Sequence, residues 1–317
     1  MNELYGQLSA KLFCKLKVLE LCCKHDKSTV FPSVFVQGLH NLKKLYIEGA
    51  FFKEICGVTG ILEHLSELKL SNMPKLMHLS EDTSQPSRAF QNLQILKVSE
   101  CGKLKSLVPS SIIFRNLKTI KVSKCHGLIC LLVPSIARCL VQLKEMVVSK
   151  CKRMTQIVAS TEAEARDDIS FSQLKSLELH QLPSLTSFYL GKCTIKFPLL
   201  KEVIVTECPE LESFSNGVSS TPMLHGVKLA EKYERNQSDE LVTQTQKLCN
   251  NDFNTTIQQF WEDNFDTCVE RLFTEDEEVC FLAFMWFYFL KSFFFSEWTQ
   301  GKCYFLIDYR NTFLKKY

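Results

Sequence analysis

The chain has 317 residues, 45% hydrophobic and 23% charged, the proportions of a folded soluble protein. Its 38 basic and 35 acidic side chains leave a net charge of +3, too balanced to make nucleic acid or an anionic membrane the expected main partner. The 15 cysteines include no C-x-x-C pair, and the first residues show neither a signal peptide's apolar core nor its cleavage site, so free thiols in the reducing cytosol are expected rather than a disulfide framework.

An apolar frame recurs along the chain. Three faint copies come first: LKVLELCCK (16–24), LHNLKKLYIEG (39–49) and LEHLSELKLSNMPKLMHL (62–79). Five strong copies follow: FQNLQILKVSECGKLKSL (90–107), FRNLKTIKVSKCHGLICL (114–131), LVQLKEMVVSKCKRMTQI (140–157), FSQLKSLELHQLPSLTSF (171–188) and FPLLKEVIVTECPELESF (197–214). A degraded copy, MLHGVKLAE (223–231), ends the series. The shared pattern is F-x-x-L-x-x-L-x-L-x-x-C-x-x-L-x-x-L. Its first Leu falls at Leu16, Leu42, Leu65, Leu93, Leu117, Leu143, Leu174, Leu200 and Leu224.

The alternating apolar residues predict a short strand with one buried face. One such strand cannot bury that face alone, so copies must stack in parallel, about 4.8 Å apart. Nine strands at that spacing span roughly 38 Å. The later pair, for example Leu104 and Leu107, turns back beneath the strand and fills the core. Each buried Leu contributes on the order of 1.5–3 kcal/mol. The predicted architecture is an α/β leucine-rich-repeat solenoid, with a parallel β-sheet on the concave face and a mostly irregular convex side. It is expected over residues 1–233, followed by a polar linker and capping helix (234–273) and an aromatic-rich extension (274–317).

Cys101, Cys125, Cys151 and Cys208 share one place in the frame, where the chain leaves the sheet. No His or carboxylate recurs beside them, so a small buried thiol bonding loop backbone is expected ahead of a metal ladder. Pro74, Pro109, Pro134, Pro183 and Pro209 are expected in return loops. The acidic stretch ASTEAEARDD (159–168) is expected to be an exposed insertion on the rim. The seven histidines make no pair at ligand spacing and match no nucleophile motif, so no catalytic, metal or cofactor site is expected.

Residues between the strand leucines point away from the core and line the predicted binding face. The residue after each first Leu reads Lys17, Lys43, Ser66, Gln94, Lys118, Lys144, Lys175, Lys201 and His225. The residue between the strand's two apolar positions reads Glu20, Tyr46, Lys69, Lys97, Lys121, Val147, Glu178, Ile204 and Lys228. The predicted partner-binding set is Lys69, Lys97, Lys118, Lys121, Lys144, Val147, Glu178, Lys201 and Ile204. Its basic centre suits an acidic patch on a protein partner; it equally suits lysines that only keep the sheet soluble.

The runs CLVQLKEMVVSKCKRMTQIVAS, ISFSQLKSLELHQLPSLTSF and FPLLKEVIVTECPELESF closely resemble the C-terminal repeats of plant intracellular disease-resistance receptors of the coiled-coil, nucleotide-binding, leucine-rich-repeat type. The resemblance covers roughly residues 12–262, including NDFNTTIQQFW (251–261), which is similar to the segment after the family's last repeat. It implies a non-catalytic cytoplasmic module that senses a pathogen effector or an altered host protein, or restrains a nucleotide-binding domain. Gly57 and Gly60 in GVTGIL lack the Lys of a phosphate loop, so nucleotide binding does not carry over and no cofactor is expected. A ubiquitin-ligase substrate adaptor is the alternative. Such adaptors tend to carry Ile-Thr-Asp after the repeat Cys, where this chain has GKL, HGL, KRM or PEL.

Thr255 with Gln258 forms a capping-box pattern, and Ile257, Phe260, Trp261, Phe265, Cys268 and Leu272 follow at helical spacing. The aromatic run CFLAFMWFYFLKSFFFSEW (280–298) has only the stretch from Val279 to Leu290 before Lys291 interrupts it. A bilayer needs about 20 residues, so a buried cap or terminal extension is expected ahead of a membrane span.

Overall fold

A computed structural model describes residues 15–23, 39, 41–55, 63–79, 90–107, 114–160, 168–230, 244–247 and 254–257. All lie within the first of the chain's two units, Met1–Trp261; the second, Glu262–Tyr317, with the aromatic run, lies outside the described residues. The described elements in chain order are β1 (Val18–Cys22), β2 (Lys44–Glu48), β3 (Glu67–Ser71), β4 (Ile95–Ser99), β5 (Thr119–Ser123), β6 (Cys130–Leu132), α1 (Pro134–Cys139), β7 (Glu145–Ser149), β8 (Gln156–Val158), β9 (Ile169–Ser170), β10 (Ser176–His180), β11 (Ser187–Tyr189), β12 (Ile195–Lys196), β13 (Glu202–Thr206), β14 (Ser213–Ser215), β15 (Ser219–Ser220), β16 (Gly226–Ala230) and β17 (Gln244–Lys247).

Each copy of the frame supplies one rung of a ten-stranded sheet ordered β1-β2-β3-β4-β5-β7-β10-β13-β16-β17. Every pairing is parallel except the last, where β17 runs antiparallel to β16. The register is unbroken: Leu68, Leu96, Ile120, Met146, Leu177 and Val203 are successive partners in one buried row. The fold is therefore a leucine-rich-repeat solenoid. The opposite side returns through turns that hold two short parallel sheets, β14-β11-β8-β6 and β15-β12-β9. Leu104, Leu107 and their counterparts lie buried between these sides.

The residue after the strand turns the chain inward by a left-handed conformation. Gly49 does so at φ 72°, but the same place is taken by Asn72, Glu100, Lys124, Lys150, Gln181 and Glu207, at φ between 51° and 57°. That conformation costs an ordinary residue roughly 1–2 kcal/mol. From Gly49 to Gln181 each such N–H extends the ladder by donating to the next strand's last carbonyl: Glu100 to Ser123 and Lys124 to Ser149, each at 3.0 Å. The turn delivers the following Cys to the core, where the Cys101, Cys125 and Cys151 thiols each bond a carbonyl two residues back at 3.3 Å, and Cys208 does so at 3.4 Å. Burial pushes the Cys151 and Cys208 thiols up to about 12, which keeps them as neutral donors. The described cysteines are all free.

Pro134 departs from its expected loop. It begins α1, where its missing N–H is one the first helical turn leaves unpaired anyway. Pro74, Pro183 and Pro209 stand in turns, and Pro109 lies outside the described residues. Of the acidic insertion, 161–167 lie outside them too; exposed Asp168 accepts hydrogen bonds from Lys196 Nζ at 2.7 Å and the Thr194 N–H at 3.3 Å.

The last rungs are closed by backbone and by a side chain that imitates it. β17 covers the edge of β16. Asn254 Oδ1 accepts the N–H groups of Phe214 and Ser215 at 2.6 and 3.2 Å, while its Nδ2 donates to the Ser215 carbonyl at 2.7 Å. One amide thus replaces the missing neighbour of β14. A helical turn at 254–257 follows with Ile257 buried; Gln258 and the remaining predicted helix positions are outside the described residues.

Candidate functional site

The period-two pleat aims three columns of each strand at the solvent face of the long sheet. The central column carries six predicted residues in direct register: Lys69, Lys97, Lys121, Val147, Glu178 and Ile204 are successive partners across β3, β4, β5, β7, β10 and β13. Lys118, Lys144 and Lys201 stand just ahead of their strands in a parallel row. The Lys118 carbonyl accepts the Lys144 N–H at 2.8 Å, and Lys175, between Lys144 and Lys201, continues the chain of bonds. Lys144 and Lys201 are exposed; Lys118 is half-buried and donates its Nζ to Gln94 Oε1 at 2.9 Å.

The central lysines do not form a bare positive strip. The neighbouring column, at the first residue of each strand, brings in Glu67, Glu145 and Glu202. Lys121 Nζ lies 2.6 Å from Glu145, Lys228 Nζ 2.7 Å from Glu202, and Lys97 Nζ 3.8 Å from Glu67, which also meets Lys44 at 3.3 Å. Tyr46 belongs to the same cluster: partial burial first, and its hydrogen bond to Glu67 second, push its phenol up. Exposed Lys69 has no ion pair among the described residues. These acids are the functional-face residues that the leucine-frame reading overlooked. The signal was present, since positions two apart on a strand share a face.

The third column is polar and packed. It reads Ser71, Ser99, Ser123 and Ser149, then changes to His180 and Thr206. His180 is 8% exposed; its Nδ1 lies 2.7 Å from Thr206 Oγ1 and its Nε2 3.1 Å from Glu178 Oε2. An ionised carboxylate only accepts, so Nε2 donates to Glu178, while Nδ1 shares a hydrogen bond with the threonine hydroxyl. The His180 hydrogen bond is the main cause that holds the Glu178 carboxyl below its usual range. A hydroxyl beside an imidazole beside a carboxylate resembles a nucleophile relay in outline. Here Thr206 is fully buried, so its oxygen cannot meet a substrate. The cluster instead clamps Glu178 between Val147 and Ile204, both half-exposed.

Among the described residues no group of three or more His, Cys, Asp or Glu side chains is placed to hold a metal ion. Among the same residues no helix is long and apolar enough to cross a membrane. The family model for "Plant disease resistance protein RPS2-like, leucine-rich repeats" matches residues 1–114 and 111–219. No curated protein matches the chain.

Proposed function

This chain belongs to the RPS2-like leucine-rich-repeat family of plant disease resistance proteins, and from that premise we propose that the solvent face of its long sheet recognises a pathogen effector or an effector-modified host protein. The family ties the chain to plant immunity and protein binding through a non-catalytic interaction fold. The observation that carries the finer reading is the change of character along the central column. Over β3–β5 two of its three lysines, Lys97 and Lys121, pair with adjacent acids; over β7–β13 it offers Val147 and Ile204 on either side of an immobilised Glu178. Binding energy concentrates where apolar side chains are desolvated around a fixed polar group, whereas exposed pairs contribute little. The contact is therefore centred on Val147, Glu178 and Ile204, with Lys69, Lys97, Lys118, Lys121, Lys144 and Lys201 as a polar surround.

The test is capture of partners from plant tissue extract by the whole chain, compared across two double variants. Val147→Glu with Ile204→Glu abolishes capture, while Lys97→Glu with Lys121→Glu weakens it less. The reverse order would overturn the assignment. Recovery of a nucleotide-binding receptor portion lost through the same variants supports a restraining role for this face. Recovery of a ubiquitin-ligase core would favour the adaptor reading instead.

A further inference from the structure

The net charge of +3 conceals a segregation on the side where the chain leaves the long sheet. The turns after β3, β4, β5 and β7 stack directly on one another. The Lys105 N–H donates to the Met77 carbonyl at 3.1 Å and the Thr155 N–H to the Ile129 carbonyl at 2.8 Å. A Cβ on Gly127 would lie 2.6 Å from the Leu104 carbonyl oxygen, so that turn rests on the one before it. Four such layers make a row roughly 14 Å long.

The first turn presents Lys75, the second Lys103 and Lys105, the third Lys124, and the fourth Lys150, Lys152 and Arg153, all exposed. The one acid in residues 72–77, 100–105, 124–129 and 150–155 is Glu100, paired with Lys124 at 2.7 Å. After β13 the sign reverses, with Glu207, Glu210 and Glu212. Charges along such a row lie within about 8–10 Å of their neighbours, the screening length of physiological salt, so their potentials add.

We propose that this exit edge docks on an anionic lipid surface. Its cations are mostly lysines, point charges without the fork that reads a protein carboxylate, and lysine is depleted from specific protein interfaces. The four turns hold no Phe, Tyr or Trp on which a nucleic-acid base could stack, and their one imidazole, His126, accepts the Lys152 N–H at 3.5 Å. They do hold Ile129, 51% exposed in the middle of the row. An aliphatic side chain amid lysines gains by entering the headgroup boundary and gains nothing from a phosphodiester backbone. The surface is distinct from the face assigned to the effector, and the proposal stands without it.

The experiment is sedimentation of the full chain with phosphatidylcholine vesicles, with and without phosphatidylserine. Binding is expected only to the anionic vesicles and is lost as salt rises. The variant Lys103→Glu, Lys105→Glu, Lys152→Glu, Arg153→Glu binds at least about a hundredfold more weakly, with unchanged circular dichroism. Glutamine at the same four positions gives an intermediate loss, which serves if the reversal variant does not fold. Ile129→Ser weakens vesicle binding about fivefold and leaves any duplex-DNA binding unchanged. Equal sedimentation with neutral vesicles, undiminished binding by the charge variants, or tighter binding to duplex DNA or polyglutamate than to anionic vesicles would overturn the proposal.

Discussion

Strands β3–β5 and strands β7–β13 share one backbone plan and differ in what they hang on it. In the earlier rungs, outward Lys97 and Lys121 meet glutamates from the next column, and Phe90 and Phe114 form a tilted pair in the core with centroids 6.3 Å apart. In the later rungs, the outward residues are Val147, Ile204 and a hydrogen-bonded Glu178–His180–Thr206 cluster. Beneath them Phe171 stacks on Phe197 at 5.4 Å and Phe188 on Phe214 at 4.6 Å, the two pairs meeting edge to face. The ladder and the leucine rows fix the geometry, so the remaining positions are free to make one stretch charged and partly ion-paired and another adhesive.

The largest test of this contrast asks whether the two stretches fold as one. Leu177→Asp places an unpaired carboxylate in a fully buried row shared with Met146 and Val203. We expect loss of several rungs together, seen as the collapse of a single thermal transition, because each rung needs both neighbours. A variant that lost only local signals would separate the two stretches as independent folding units.

Next comes the aromatic difference. Phe188→Ala should cost about 3–5 kcal/mol in denaturant unfolding, since Phe188 contacts Phe171, Phe197 and Phe214. Phe90→Ala, with Phe114 as its one ring partner among the described residues, is expected near the lower end of that range. Equal losses would mean that the later stack adds nothing beyond burial.

A smaller effect should appear in acid. The His180 hydrogen bond holds the folded Glu178 carboxyl below its ordinary value of 4.5. A depressed folded-state value stabilises the protein above the unfolded carboxylate range and is lost as pH falls through the folded value. Glu178→Gln should therefore lower melting slightly at neutral pH and flatten the acid limb of a stability–pH curve, the variant and the wild type converging as pH falls through the folded value. An acid limb identical to the wild type would show that the cluster contributes no linkage.

Smallest of all is the outward charge pairing. Glu145→Gln unpairs Lys121, yet both side chains are more than a third exposed, at 34% and 43%. Such pairs contribute about 0–1 kcal/mol, so melting should hardly change. If partner capture improved with Glu145→Gln, the earlier rungs would join the binding surface as a true basic strip.

The repeat itself was legible because a two-residue alternation renewed about every two dozen residues admits one inexpensive solution, a stacked parallel sheet. The buried row from Leu68 to Val203 and the central column from Lys69 to Ile204 follow from that periodicity alone. The thiol-to-carbonyl bonds at Cys101, Cys125 and Cys151 were foreseeable for the same reason. Other features depended on which copies touch. A Glu at the head of one strand pairs with a Lys on a neighbouring strand, as Glu145 does with Lys121, and no single copy displays that pair. Left-handed turns at Glu100 and Lys124 contradict local preference and persist because the ladder supplies their hydrogen bonds. Asn254 serves as a strand's edge only where the stack ends. Sequence determined the period and the buried face, since both are properties of one repeating segment. Tertiary structure decided pairing, capping and where charge collects, since those arise between segments brought together by stacking.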